Sequence, residues 1–280
     1  MEKVNRNKRV EIAERIMRVI DSRIYEAQNG SLVSVAGEIQ NCMEKTVTIS
    51  PEDGDDILYQ VAQMSTENYQ TAIKVLNGST IWALSQTMKN TKVGVLNFAS
   101  AKNPGGGFLS GASAQEESLA RASCLYASQT KDMTMYQHNR NQSSFLYSDY
   151  MIYSPDVIFW FDDEGNTFPT PIKADIITSP APNKGAMLQH NRKDEIAELE
   201  SVFKYRMEKL LALAVKNGVE SLILGAWGCG VFRNEPSDVA NYFREIIDTK
   251  FKNRFREIIF SIYDTSDKKA NFLPFQQTFQ

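Results

Sequence analysis

The stretch NPGGGFLSGASAQEESLARASCLY, Asn103 to Tyr126, decides how this chain is read. Gly105, Gly106 and Gly107 remove the Cβ atoms that keep a ligand off the main chain. They also permit the positive φ angles that aim successive N–H groups at one point, so the loop is a candidate for binding an anion. Val93 to Ala99, just before it, reads as a buried strand. The loop therefore leaves a strand's carboxyl end, where α/β sheets usually place their ligands. Residues 116 to 129 read as a helix with Leu119, Ala122 and Leu125 or Tyr126 on one face, which puts Glu116 and Glu117 in its first turn. Adjacent helical residues point about 100° apart, so the two carboxylates serve different tasks. Ser113-Ala114-Gln115-Glu116 also matches a capping box, the simpler explanation of Glu116 taken alone. That explanation leaves Glu117, the triple glycine and Gly111 unaccounted for.

A second glycine cluster, Gly225 to Phe232, follows the buried strand Ser221-Leu222-Ile223-Leu224 and precedes a helix whose start is marked by Pro236. This is the strand, loop, helix order of a phosphate-binding turn, without the spacing of a Walker or dinucleotide fingerprint. Paired with Gly105 to Gly107, it suggests two loops closing on one diphosphate. Gly228, Cys229, Gly230, Val231 and Phe232 are its candidate contacts, Phe232 either against a ribose or base or within the core. Cys229 is a poor nucleophile candidate, because a thiolate beside a bound phosphate would be repelled. The only histidines, His138 and His190, lie in polar stretches and read as solvated surface residues, so a Ser-His-Asp or Cys-His machine has few possible bases.

Gly105-Gly106-Gly107 with Gln115-Glu116-Glu117 resembles the signature of poly(ADP-ribose) glycohydrolases, and the full string is similar to the bacterial or microbial type. Tyr153 to Val157, Ser179 to Asn183 and Gly225 to Phe232 resemble the family's later blocks, in order, so the resemblance spans most of the chain. It implies a macrodomain fold and a metal-independent hydrolase without a cofactor, acting on the ribose–ribose bonds of poly(ADP-ribose). Glu117 would be general acid toward the departing glycosidic oxygen and then base toward water. Glu116 and Asn103 would hold ribose hydroxyls, and Gln115 with the two glycine loops would contact the substrate. A helix N-terminus favours the charged carboxylate, whereas the neighbouring Glu116 and a bound diphosphate oppose it. Glu117 is therefore expected to take up its proton mainly in the substrate complex. Two departures from the family pattern are Ser113, where a basic residue is expected, and Ala122-Ser123-Cys124, where Ser-Thr is more usual. A mono-ADP-ribosyl hydrolase, a non-catalytic ADP-ribose reader and an NAD or nucleotide-sugar hydrolase remain alternatives.

With 280 residues, 42% hydrophobic and 23% charged, the chain has the composition of an ordinary soluble protein with one large α/β domain or two smaller ones. A net charge of −3 argues against strong general affinity for nucleic acid or anionic membrane, so the phosphates of its ligand should meet loop backbone. No apolar run approaches the roughly 20 residues of a membrane helix, and the N-terminus has no h-region, so a cytoplasmic location is expected. Cys42, Cys124 and Cys229 are widely spaced and odd in number, which suits a reducing compartment and gives no zinc spacing.

The pattern predicts an N-terminal helical extension over residues 1–55 packing on a main domain over residues 56–280. Ile16, Ile20 and Ile24 mark an amphipathic helix from Arg6 to about Ala27. Strand-like pieces fall at Leu32 to Val35 and Thr46 to Ile49, with an acidic turn at Asp53 to Asp56. A helix is expected from Ser65 or Thr66 through Leu76, and a long polar loop from Lys131 to Ser148. Val157 to Phe161 and Ile172 to Ser179 read as a hairpin-like pair. Helices at Lys193 to Lys216 and Pro236 to Lys250 and strands at Ser221 to Leu224 and Glu257 to Tyr263 complete a three-layer α/β/α sandwich with a mixed sheet. Ser65, Thr66 and the Asp264 region are candidates for adenine contacts by position alone.

Overall fold

A computed structural model describes residues 4–65, 69–87 and 91–280. The chain runs α1 (Arg6–Ser22), β1 (Ile24–Glu26), β2 (Leu32–Ser34), α2 (Ala36–Lys45), β3 (Val47–Ile49), α3 (Pro51–Gln63), β4 (Ala72–Leu76), α4 (Thr80–Gln86) and β5 (Val93–Phe98). A 3-10 turn, Phe108–Ser110, precedes α5 (Gln115–Ala122), α6 (Leu125–Gln129) and α7 (Thr134–Asn141). Then come β6 (Met151–Phe161), β7 (Thr167–Ser179), α8 (Lys184–Gln189), α9 (Lys193–Lys216), β8 (Ser221–Leu224), α10 (Pro236–Thr249), β9 (Glu257–Ser261) and α11 (Phe272–Phe279).

Seven strands form one mixed sheet in the order β3-β6-β7-β5-β8-β9-β4. β7, β5, β8, β9 and β4 pair in parallel, while β6 runs antiparallel to both β3 and β7. The parallel strands β5 and β8 are buried along almost their whole length, as expected where helices cover both faces. Two cores result. α3, α9, α10 and α11 pack on one face around Phe203, Leu210 and Trp227, and α1, α2, α4, α5 and α6 pack on the other around Ile16, Leu119 and Trp160. This is the expected three-layer sandwich. The end of α9 is as the sequence predicts: Gly218, in the left-handed region at φ 70°, donates to the Val215 carbonyl.

Four expectations are corrected. The acidic residues 53–56 lie in α3, where Ser50 and Asp53 form a reciprocal capping box and Pro51 opens the helix. The helix expected up to Leu76 gives way to β4, because Ile73 and Val75 find an open strand partner in β9. The proposed cap at Thr66 lies outside the described residues. The polar interval after Lys131 contains α7, and the predicted single helix 116–129 is two helices. Its break is at Ser123, which bridges to Phe159 of β6 while its hydroxyl donates to the Leu119 carbonyl at 2.7 Å. β3, within the first 55 residues, is the edge strand of the main sheet, and residue 55 falls inside α3. No helix among the described residues is long and apolar enough to cross a membrane.

One polar contact locks the α9 layer. Arg206 and Lys209, both buried on α9, converge on Asp149, with Nε to Oδ1 at 2.8 Å and Nζ to Oδ2 at 3.3 Å. Lys209 also meets Asp55 at 2.7 Å, and Arg206 donates to the carbonyls of Pro180 and Tyr147. Removing the shared anion leaves two buried cations short of a partner, a change that typically costs about 3 kcal/mol or more. Asp149→Ala should therefore lower the unfolding free energy measured by urea denaturation by that amount, whereas Asp248→Ala, at an exposed helical pair, should cost well under 1 kcal/mol.

Candidate active site

β5 delivers the chain to the site, and a side chain of α5 returns to hold it there. Gln115, the first residue of α5, accepts from the Phe98 N–H at 2.9 Å and donates to the Leu96 carbonyl at 2.8 Å. Its amide mimics a strand partner and pins the start of the helix to the end of β5. The capping box expected at Ser113 and Glu116 does not form: Ala114 is the N-cap, with no side-chain cap bond, and Ser113 is exposed.

Glu116 points inward instead and is only 3% exposed. Its Oε1 accepts from Asn97 Nδ2 at 3.2 Å and Gln129 Nε2 at 3.0 Å, and its Oε2 accepts from the Ser100 N–H at 2.7 Å. Three donors from β5, the following loop and α6 thus outcompete the local cap. Burial raises its carboxyl pKa to about 7, against the opposing pull of those three hydrogen bonds and with a further upward push from Glu117. Asn97 and Gln129 are absent from the sequence-based site. The signal for Asn97 was present, a polar residue inside an otherwise apolar strand; Gln129 gave none, because its proximity depends on the break at Ser123.

Glu117 is half-buried, and its Oε1 accepts from the Gly107 N–H at 3.0 Å. The loop reaches it through successive tight turns, with Gly106 donating to the Asn103 carbonyl and Phe108 to that of Gly105. Gly105 and Gly106 lie at φ 65° and 57°, and a Cβ on Gly106 would collide with Glu117 Oε1 and come within 3.2 Å of Glu116 Oε2. The N–H groups of Gly106, Gly107 and Phe108 are therefore spent inside the site, and the anion that Gly107 meets is the protein's own carboxylate. Asn103 is exposed at the first turn of this loop.

The second loop is different. Cys229, Arg233 and Asn234 use their N–H groups within it, but those of Gly230, Val231 and Phe232 have no acceptor among the described residues. Gly228, at φ 74°, is packed too closely on Asn234 and Ala181 to carry a Cβ. Val231 is 83% exposed, whereas Cys229 is buried and its thiol pKa is pushed up, by burial first and then by Glu235 and Asp238. Cys229 is thus inert as a nucleophile. The Phe232 ring lies 6.0 Å from that of Tyr147, a residue at φ 58° that the sequence did not single out.

A cleft of about 820 Å³ opens over the ends of these strands. Gly228, Gly230, Val231 and Phe232 line it at one side and Gln115 and Ser118 at another, whereas Asn103, Gly105 to Gly107, Glu116, Glu117 and Cys229 lie outside its wall. Glu117 borders the cleft through its neighbour Ser118. His138 and His190 are exposed and pack against Tyr150 and Phe145, and neither lines the cleft. Asp264 accepts from the N–H groups of Ser266 and Asn271 and so ties down its own loop.

Residues 13–162 match the model of the microbial-type PARG catalytic domain, where PARG stands for poly(ADP-ribose) glycohydrolase. That range includes the triple glycine and both glutamates. The Thermomonospora curvata poly(ADP-ribose) glycohydrolase structure is 36% identical, with a TM-score of 0.91 over 98% of this chain and 100% of that one. The same enzyme bound to the inhibitor ADP-HPD gives a TM-score of 0.89. The Deinococcus radiodurans poly(ADP-ribose) glycohydrolase in complex with ADP-ribose is 37% identical, with a TM-score of 0.84 over 89% of this chain and 99% of that one. No curated protein matches the chain.

The raised value at Glu116 has a measurable consequence. A carboxyl held above its ordinary 4.5 contributes stability that is complete below that pH and is lost as pH rises through about 7. Carbon NMR of glutamate-labelled protein should show one side-chain carboxyl titrating near neutrality, absent from Glu116→Gln; a Glu116 resonance already ionised at pH 5 would contradict the burial argument.

Proposed function

The chain belongs to the microbial-type poly(ADP-ribose) glycohydrolase family, and on that premise we propose that Glu117 is the acid/base residue by which it cleaves ribose–ribose bonds in poly(ADP-ribose). The observation that carries this reading is the division of labour between two adjacent carboxylates. Glu116 is buried and held by three donors, while Glu117 is half-buried and held by one glycine N–H.

In the proposed reaction, Glu117 gives a proton to the glycosidic oxygen as it leaves the anomeric carbon, then accepts one from the attacking water. Gly107 N–H stabilises the carboxylate that exists between these steps. An ionised carboxylate has about four acceptor positions, of which Glu116 has filled three. We therefore retain the remaining one, with Asn103, as the partner of ribose hydroxyls. The three uncommitted N–H groups of Gly230, Val231 and Phe232 suit the diphosphate, and the Phe232 ring at the cleft wall suits contact with an adjoining sugar or base. The substrate is proposed to be attached to a modified protein in the cytoplasm.

The test is release of ADP-ribose from purified polymer and from a mono-ADP-ribosylated protein. Wild type should degrade the polymer, and Glu117→Gln should lower kcat by roughly 10²–10⁴-fold, the usual contribution of a general acid or base, while still binding ADP-ribose. Activity confined to the mono-modified protein would move the substrate, and tight ADP-ribose binding without turnover of either would make the protein a reader. Gly106→Ala, which drives a methyl group into Glu117, should cost roughly 10²-fold in kcat, the scale of a misplaced catalytic group.

A further inference from the structure

The N-terminal helix does more than cover the core. α1 grips the turn that leads into the catalytic helix: Arg6 Nε donates to the Ser110 carbonyl at 2.9 Å and Arg9 Nε to that of Gly111 at 2.8 Å. Gly111 is pressed so closely on α1 that a Cβ there would lie 2.7 Å from the Arg6 carbonyl oxygen. Of these two arginines, only Arg9 lines the cleft, and there it joins Arg121 of α5, with Ser113 and Ser118 on the same wall.

Arg9 and Arg121 bond the carbonyls of adjacent residues, Gly111 and Ala112, which brings their guanidinium groups together. Burial first, and Arg9 in addition, hold the Arg121 pKa down at about 10, opposed by attraction to Glu117 and Asp163. Arg121 spends Nη1 on the Ala112 carbonyl at 2.6 Å and reaches Ser118 Oγ at 3.4 Å, while Arg9 spends Nη1 on the Val4 carbonyl. Neither forms an ion pair among the described residues, and Arg121 Nε and Arg9 Nη2 have no acceptor among them. Three carboxylates of the β6–β7 turn line the same cleft, but Asp162 accepts from the Glu164 and Asn166 N–H groups, Asp163 from the Ser79 hydroxyl and Glu164 from Asn166 Nδ2 at 3.5 Å, and none of them pairs with either arginine. Two neighbouring guanidinium groups with donors to spare, at the wall of a cleft, call for an oxyanion that can bridge them.

Position identifies the anion. Glu117 and Arg121 are four residues apart on α5, a spacing that brings Cβ atoms to about 6 Å, so the arginine pair sits beside the reacting carboxyl. The phosphate cradle at Gly230 to Phe232 is a separate part of the same cleft. A polymer with its scissile bond at Glu117 carries a diphosphate on each side of that bond, because the departing ribose belongs to an ADP-ribose unit of its own. Resting on the proposed glycohydrolase activity, we propose that Arg9 and Arg121 form a second anion site that binds the diphosphate of the unit on the leaving side of the scissile bond, so that α1 selects polymer over single ADP-ribose.

The experiment compares wild type, Arg9→Gln, Arg9→Lys and Arg6→Gln in the full chain, reading KM on purified poly(ADP-ribose) against salt and, separately, the Kd for free ADP-ribose. Arg9→Gln should raise polymer KM roughly tenfold at low salt and reduce the slope of log KM against log salt by about one, as for a lost phosphate contact. Its ADP-ribose Kd should stay within about twofold of wild type, since that ligand ends at Glu117. Arg9→Lys should recover much of the loss by retaining the charge, and Arg6→Gln, which loses a loop contact outside the cleft, should keep the wild-type salt slope. An unchanged polymer KM, or equal effects of Arg6→Gln and Arg9→Gln, would overturn the subsite and leave the glycohydrolase reading intact. Failure of wild type to cleave polymer would overturn both.

Discussion

The buried carboxylate of Glu116 is the constraint on which the site depends. Desolvating a carboxylate is costly unless hydrogen bonds replace the lost water, and here the replacements come from Asn97 on β5, the Ser100 N–H in the following loop and Gln129 on α6. These segments must all be in place for the carboxylate to be tolerated. Glu116 therefore couples the sheet, the glycine-containing loop and the paired helices. The first turn of α5 is fixed from within by this cluster and from above by Gln115, and both leave Glu117 facing the loop.

The triple glycine looks from its composition like a phosphate cradle, yet the N–H groups of Gly106 and Gly107 are bonded within the protein. What it achieves is close approach of main chain to carboxylate, which any side chain at Gly106 would prevent. The loop after β8 keeps the uncommitted donors. Both glycine clusters suit anions, one through N–H groups left without an acceptor among the described residues and the other through an N–H given to the Glu117 carboxylate. Cys229 illustrates the same principle in reverse: a residue that looks reactive between two glycines is made inert by burial and by nearby acidic side chains.

The N-terminal segment is part of this arrangement. β3 extends the main sheet and α1 binds the turn at Ser110 and Gly111, so the chain before α3 both completes the fold and borders the cleft. Arg15 reaches the hairpin between β6 and β7 through the Gly165 carbonyl and Thr167. One helix thereby ties the turn before α5 to the hairpin between β6 and β7.

By itself the sequence determined the elements whose signals are local. The run of apolar residues in β5, the uninterrupted helical repeat of α9 with its Asn217-Gly218 end, and the order of glycines and glutamates are properties of neighbouring residues, and they sufficed for the fold class and the candidate carboxylates. Only the tertiary structure decided where side chains went when several partners competed. Ser50 and Asp53 made the capping box that Ser113 and Glu116 did not, because Glu116 had three buried donors waiting across the fold. β4 became a strand because β9 offered an open edge, and Gln129 reached Glu116 because the chain breaks at Ser123 to pair with β6. Such choices turn on contacts between residues far apart in the chain, whose distances no local pattern encodes.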